Sequence, residues 1–259
     1  MSTKKLLIVF LFSFVPFLSI TAQDIPLQTS VYHWENNHGV NSKFGSQHQL
    51  FDGSGKILNR QILTGLSLRG GKQLVYQESV SGDELFFIIK TGMIEVQLNN
   101  QVKQLEKGSV VFLLPGEKVS FKNVHKDDAE LYVMQMHSAS PNIQRGRDAG
   151  SSFMMDWYDM VFKPHDKGGV RQLFDRKTVM TNRFDIHITS LNPGLSSHPA
   201  HTHLNEEIIL MLDGEGVMIL GDKKQEIKTG DAAWVESMIP HNITNTATRP
   251  IVYFAIQWN

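Results

Sequence analysis

Cysteine is absent from all 259 residues. That absence excludes disulfides, thiolate metal ligands and a lipid anchor attached through a cysteine behind an export leader. A strong charge of either sign is also missing. The 25 Lys and Arg and 26 Asp and Glu leave a net charge of -1, and the basic residues are scattered rather than striped. Nothing electrostatic therefore points to nucleic acid or anionic lipid as a partner. What is present is ordinary: 41% hydrophobic and 20% charged residues, enough to bury a core and too apolar for disorder. Length alone admits one large domain or two small ones. Nine Pro and 20 Gly, spread along the chain, suit many short strands joined by turns.

Long apolar runs are scarce, and the one that stands out is at the start. Lys4 and Lys5 precede an uncharged stretch from Leu6 to Ile20, followed by the small-residue exit Thr21-Ala22-Gln23. A run of about 15 apolar residues is short for a bilayer span, so it predicts a signal peptide over 1–22, cut near Ala22. The mature chain is then expected in the periplasm or secreted, with no membrane attachment after cleavage. An exported chain without disulfides must be held together by its core.

The chain repeats itself. Gln49-Leu50-Phe51-Asp52 recurs as Gln172-Leu173-Phe174-Asp175, 123 positions later, and Ser67-Leu68 and Gly71 match Ser190-Leu191 and Gly194 at the same displacement. After a one-residue adjustment Gly92, Gly108 and Asn123 align with Gly214, Gly230 and Asn245. The register is kept through most of both halves. Short apolar runs broken by glycine turns, such as Leu85 to Val96 and Ile208 to Leu220, predict an all-β protein. The expected organisation is an N-terminal extension over 23–45, one β-domain over 46–138, a linker over 139–167 and a second β-domain over 168–259. The extension (Tyr32, Trp34) is expected to pack on, or exchange strands between, the two domains, and the linker patch (Met154 to Tyr158) to pack on one of them.

Chemistry is concentrated in His198-Pro199-Ala200-His201-Thr202-His203-Leu204-Asn205-Glu206-Glu207. In an extended strand His201, His203 and Glu207 share one face, with Glu206 on the other as a solvated charge. Pro240-His241 follows 34 residues after Glu207, on an expected neighbouring strand. Three imidazoles and a carboxylate form a mixed nitrogen and oxygen site. It suits one divalent transition metal (Mn, Fe, Co, Ni, Cu or Zn) and lacks the soft donors that select copper(I). Positions left open to water or substrate would make such a metal catalytic rather than structural. His198 is expected at the rim or in a solvated loop, and His187 packed in the core. His33, His38, His48, His125, His137 and His165 have no partner spacing and are expected at the surface. In the first copy the ligand positions become Ser79, Ser81, Leu85 and Val119, so that half is expected to hold no metal.

His201-x-His203-x3-Glu207-x6-Gly214 resembles the first motif of the cupin family. Gly230-Asp231 through Pro240-His241-x3-Asn245 resembles the second. Two departures are small: an extra residue lies between Gly194 and His201, and Lys228 stands where the family has proline. The resemblance implies two tandem cupin jelly-roll barrels, with His201, His203, Glu207 and His241 as the metal ligands, and pairing of chains as a possible homodimer. The layout, with the metal confined to the C-terminal half, is similar to ureidoglycine aminohydrolases, as is the approach segment from Phe184 to His198. That family carries Glu, His, His and Gln at the site, so the likeness implies the architecture rather than the reaction.

Three readings of the activity follow. The first is an enzyme on a small polar chelating substrate, a sugar acid or a ureido or carboxylate compound, using the metal as Lewis acid and His198 or Glu236 to move the proton. The second is a dioxygenase of the flavonol-cleaving type. The third is a non-catalytic carbohydrate-binding or sensing module.

Overall fold

The computed structural model describes residues 25–36, 39–77 and 82–259. The expected signal peptide, His38, Ser79 and Ser81 lie outside the described residues. Each half of the chain is a two-layered sandwich of antiparallel strands. In the N-terminal half the large sheet runs, edge to edge, Phe153–Met155, Val110–Leu113, Glu84–Thr91, Ala129–His137, Arg60–Leu68, Gly45–Gly53 and Val40–Asn41. Its counterpart runs Ser30–Tyr32, Ala232–Val235, Glu206–Asp213, Ile251–Trp258, Phe184–Leu191, Gly168–Arg176 and Lys163–His165. The two orders correspond strand for strand. Each large sheet faces a smaller one, of four strands in the first half and three in the second. These are open jelly rolls rather than the closed barrels expected from the sequence.

The central strands have both faces covered, which explains their uninterrupted apolar sequence. Leu85, Phe87 and Ile89 face the interior of the first lobe, while Phe86 and Ile88 join a core shared by the two large sheets. In the second lobe Ile209 and Met211 face inward, and Ile208, Leu210 and Leu212 face the other lobe. The shared core also holds Trp234, Trp258, Phe112 and Phe184, and is the largest of the three. The lobes are therefore fused through their broad faces. The repeat register holds to the atom: Asn123 Nδ2 donates to the carbonyls of Leu68 and Asp127, and Asn245 Nδ2 to those of Leu191 and Arg249.

The arms are exchanged. Ser30–Tyr32, from the extension before the first lobe, pairs with Ala232–Val235 of the second; Phe153–Met155, from the linker, pairs with Val110–Leu113 of the first. Each arm covers a sheet edge that would otherwise be an open template for association. Each then turns through a tryptophan. Trp34 N–H donates to Asp231 and packs on Gly230; Trp157 N–H donates to Ser109 and packs on Gly108. A Cβ on Gly108 would fall 2.3 Å from the Trp157 ring, and one on Gly230 would fall 2.8 Å from Trp34 Cβ.

Glu206 departs from its expectation as a solvated charge. It is fully buried between the lobes, accepting the Trp258 indole N–H at 2.9 Å and the Lys56 amide at 2.5 Å. Burial raises its pKa, against the pull of those donors. Glu84, its repeat equivalent, accepts the Val179 and Met180 amides at 2.6 and 3.2 Å. Strand parity predicted the face correctly, but that face meets the other lobe rather than water. Three histidines expected at the surface are also engaged. His33 lies 2.9 Å from Asp231, His137 lies 2.6 Å from Asp83, and His48 packs edge-on against Trp34.

At the two described donor positions the first lobe is packed with apolar side chains. Leu85 and Val119 are buried, and Phe87 meets Tyr76 edge-on and Phe121 at a tilt, with ring centres 5.0 and 4.7 Å apart.

Candidate metal centre

Only one of the four sequence-predicted ligands lies within a strand of the large sheet. Glu207 lies on the central strand Glu206–Asp213, paired with Val235 on one side and Gln257 on the other. His241 opens the strand His241–Asn245. His201 forms an isolated bridge to His241, with His201 N–H to His241 O and the reverse at 3.3 and 3.1 Å. His203 stands in the turn before Glu207, its carbonyl accepting the Met238 N–H. The alternation expected across His201, His203 and Glu207 is therefore not what joins them; a bridge and a turn do so.

Between the bridge at His201 and the Ser197 N–H to Ile243 O bond, residues 198–200 face Asn242 alone. This is a bulge, and Pro199, which has no N–H to leave unpaired, sits within it. Asn242 Nδ2 holds the His198 carbonyl at 3.0 Å. The extra residue noted in the motif lies in this segment. It brings the His198 ring to 4.0 Å from that of His201, at the rim.

The donor atoms of His201, His203 and His241 lie within 4.8 Å of one another. Glu207 Oε2 is 3.3 Å from His203 Nε2 and 2.8 Å from His241 Nε2. The tautomers are set from behind. His203 Nδ1 lies 3.0 Å from the Asn205 carbonyl, and His241 Nδ1 lies 2.8 Å from the Ile239 carbonyl. A carbonyl can only accept, so both Nδ1 atoms carry hydrogen and both Nε2 lone pairs face the cluster. His241 Nε2 is buried and lacks an aligned hydrogen-bond partner despite its proximity to Glu207. A buried imidazole nitrogen of this kind, beside two more and a carboxylate, fits a divalent transition metal. Glu207 is buried, which alone would raise its pKa; contacts with His203, His241 and Gln257 instead hold it well below the usual carboxylate range. His241 moves the other way: burial opposes its charge, but Glu207 holds its pKa above the ordinary imidazole value.

The other expected site residues divide. His198 joins the cluster. Glu236 does not: it ion-pairs with Lys56 of the first lobe at 2.7 Å, and follows Val235 on the opposite parity from that inward-facing residue. His187 is not a packed core residue; it is half-buried on the inward face of Phe184–Leu191, across from Ala255.

Residues 187–257 match the cupin domain family, and the fold carries both lobes of that architecture. The C-terminal lobe is a cupin domain. A 73-residue stretch is 32% identical to a probable (S)-ureidoglycine aminohydrolase of Oryza sativa subsp. japonica, covering 27% of this chain and 24% of that protein. Over 179 residues the chain is 24% identical to the (S)-ureidoglycine aminohydrolase of Escherichia coli K12, covering 65% of this chain and 63% of that one. The match thus spans about a quarter of the plant relative and less than two thirds of the bacterial one. The fold is similar to Lactobacillus farciminis oxalate decarboxylase, with a TM-score of 0.67, 11% identity, and coverage of 90% and 87% of the two chains.

Sequence reasoning missed Gln257. Its Nε2 donates to Glu207 Oε1 at 3.0 Å, its Oε1 accepts from Asn205 Nδ2 at 3.0 Å, and Asn205 Oδ1 accepts from Asn259 Nδ2 at 2.7 Å. The repeat could not flag it, because Gln135 occupies the same place in the first lobe. Since such supporting partners typically tune metal affinity by 10- to 100-fold, Gln257→Leu should weaken metal binding by about that factor with the fold intact. Competition with a fluorescent chelator measures it, and an unchanged affinity would remove Gln257 from the site.

Proposed function

We propose that the C-terminal lobe of this chain is a metal-dependent catalytic centre for a small polar substrate that chelates the metal. A sugar acid or a ureido or carboxylate compound has that chemistry. The observation that supports this most directly is the convergence of the buried His241 Nε2 with His201, His203 and Glu207 at an accessible mouth. A divalent metal held by these four residues would supply Lewis-acid polarisation of the substrate oxygen. The chain does the rest. Carbonyls of Asn205 and Ile239 fix the imidazoles, Gln257 orients Glu207, and His198 at the rim is placed to take or give a proton. The ureidoglycine relatives make a ureido compound one member of the substrate panel. The apolar leader makes export part of this reading, and N-terminal sequencing of the mature protein should find its start near Ala22.

A second reading has one observation in its favour. Leu204 and Met238, which flank His203 in sequence and by hydrogen bond, are 73% and 53% exposed. An apolar rim suits the less polar substrate of a dioxygenase. Metal analysis followed by turnover assays under nitrogen and under air separates the two. Conversion without oxygen supports the first; oxygen consumption on a flavonol or catechol overturns it. Tight substrate binding without turnover would instead leave a binding module.

Proton and metal compete for His241, which gives a signed pH dependence. In metal-free protein the raised His241 pKa contributes stability that is present below its ordinary value of 6.5 and is lost as pH rises through the folded pKa. The depressed Glu207 pKa contributes stability present above 4.5 and lost as pH falls through its folded value. Both contributions are fully present together between 4.5 and 6.5. Thermal melts of chelator-treated protein should show this added stability in that window, and His241→Gln should lack it. Metal affinity should instead rise with pH as His241 gives up its proton.

A further inference from the structure

The inward face of the second lobe's large sheet is polar on the strand two places from Glu207. Register places Asp185 across from Gln257, which is itself across from Glu207, so the three side chains share one face in one row. Two strand spacings put the Asp185 backbone about 10 Å from that of Glu207. His187 and Thr189 continue the same face along the strand. The first lobe provides a control: at these positions it carries Ile62, Thr64 and Leu66, and its Ile62 and Leu66 are buried. The half with metal donors also has carboxylate, imidazole and hydroxyl where the half without them has two large hydrophobes.

Asp185 is held rather than mobile. Gln172 Nε2 donates to one oxygen at 2.8 Å, and Arg183 to the other at 2.9 Å. Each carboxylate oxygen retains acceptor capacity, and because Arg183 is shared with Asp175 the pair of carboxylates keeps a net negative charge. His187 is half-buried and forms no hydrogen bond or ion pair among the described residues, so both ring nitrogens are available. A second carboxylate on the substrate would meet Asp185 and be repelled. Hydroxyl groups, which both donate and accept, match an acceptor carboxylate beside a two-ended imidazole and a threonine hydroxyl whose remaining capacity is left over from its bond to Tyr253.

We propose that Asp185, His187 and Thr189 form a second binding surface beside the metal centre, taking the hydroxylated tail of a substrate whose carboxylate end chelates the metal. This rests on the metal-centred reading above and narrows it to polyhydroxylated monocarboxylic acids. His187 is the specificity-determining member.

The test uses two acids with the same chelating head, gluconate and 2-hydroxyhexanoate, titrated calorimetrically into the Mn2+-loaded chain. Gluconate should bind at least tenfold tighter. His187→Leu and, separately, Thr189→Leu should reduce gluconate toward the affinity of 2-hydroxyhexanoate, leaving the latter and the metal content unchanged. Equal affinities in a metal-loaded wild type, or gluconate binding indifferent to both variants, would overturn the surface alone. A wild type that holds no metal overturns the reading beneath it and the surface with it. Metal content thus distinguishes the two failures.

Discussion

The purified chain should hold one divalent transition metal, and His203→Ala should hold none after passage over a chelating resin. His203 is the informative position because its Nδ1 is already committed to the Asn205 carbonyl and its Nε2 faces both Glu207 and the histidine cluster. Removing it takes out a neutral donor and leaves His201, Glu207 and His241, a three-donor set from which the resin should strip the ion. The effect should extend to stability. A metal at about 1,000 times its dissociation constant stabilises the folded state by about 4 kcal/mol. For a chain of this size, that corresponds to a melting temperature about 8–16 °C higher in metal than in chelator. His203→Ala should melt at the same temperature in both. A stoichiometry of two would show that the first lobe binds metal despite Leu85 and Val119, and metal retained by the variant would remove His203 from the ligand set.

Trp258→Ala should cost about 3–5 kcal/mol. The indole is completely buried in the core shared by the lobes, near Phe184 with ring centres 6.3 Å apart, and it donates to Glu206. Truncation leaves a cavity and strips a buried carboxylate of one of its donors, and both terms destabilise. Because the largest core belongs equally to both lobes, the loss should appear as one earlier calorimetric transition for the whole molecule. Two separated transitions, with the first lobe melting at its original temperature, would show that the lobes fold independently.

Much of the site was legible because chemistry constrains it locally. His201, His203, Glu207 and His241 announce themselves by residue type and spacing, and the glycines and asparagines around them hold the register of the repeat. Glu206 and Gln257 were not legible, for one reason. Parity says which face of a strand a residue occupies, but not what covers that face. Glu206 meets a second large sheet instead of water, and Gln257 meets Glu207 through a pairing that joins residues 50 positions apart. The same limit applies to His201 and His203, whose approach depends on a bulge at Pro199 rather than on regular alternation. Exchange by the extension was foreseeable from Tyr32 and Trp34, and packing of the linker from the aromatic patch at Trp157, although the partner strands were not.

The traded arms have a further consequence. In its two large sheets and their arms the molecule has the geometry of two similar subunits embracing reciprocally, yet both are written in one polypeptide. In a true symmetric pair every substitution occurs twice, so donors cannot be lost from one member and kept in the other. Joining the copies end to end removes that constraint. One half is free to convert its donor positions to Leu85 and Val119 and to become scaffold, while the other concentrates the chemistry. Asymmetry of function is here a property of covalent linkage.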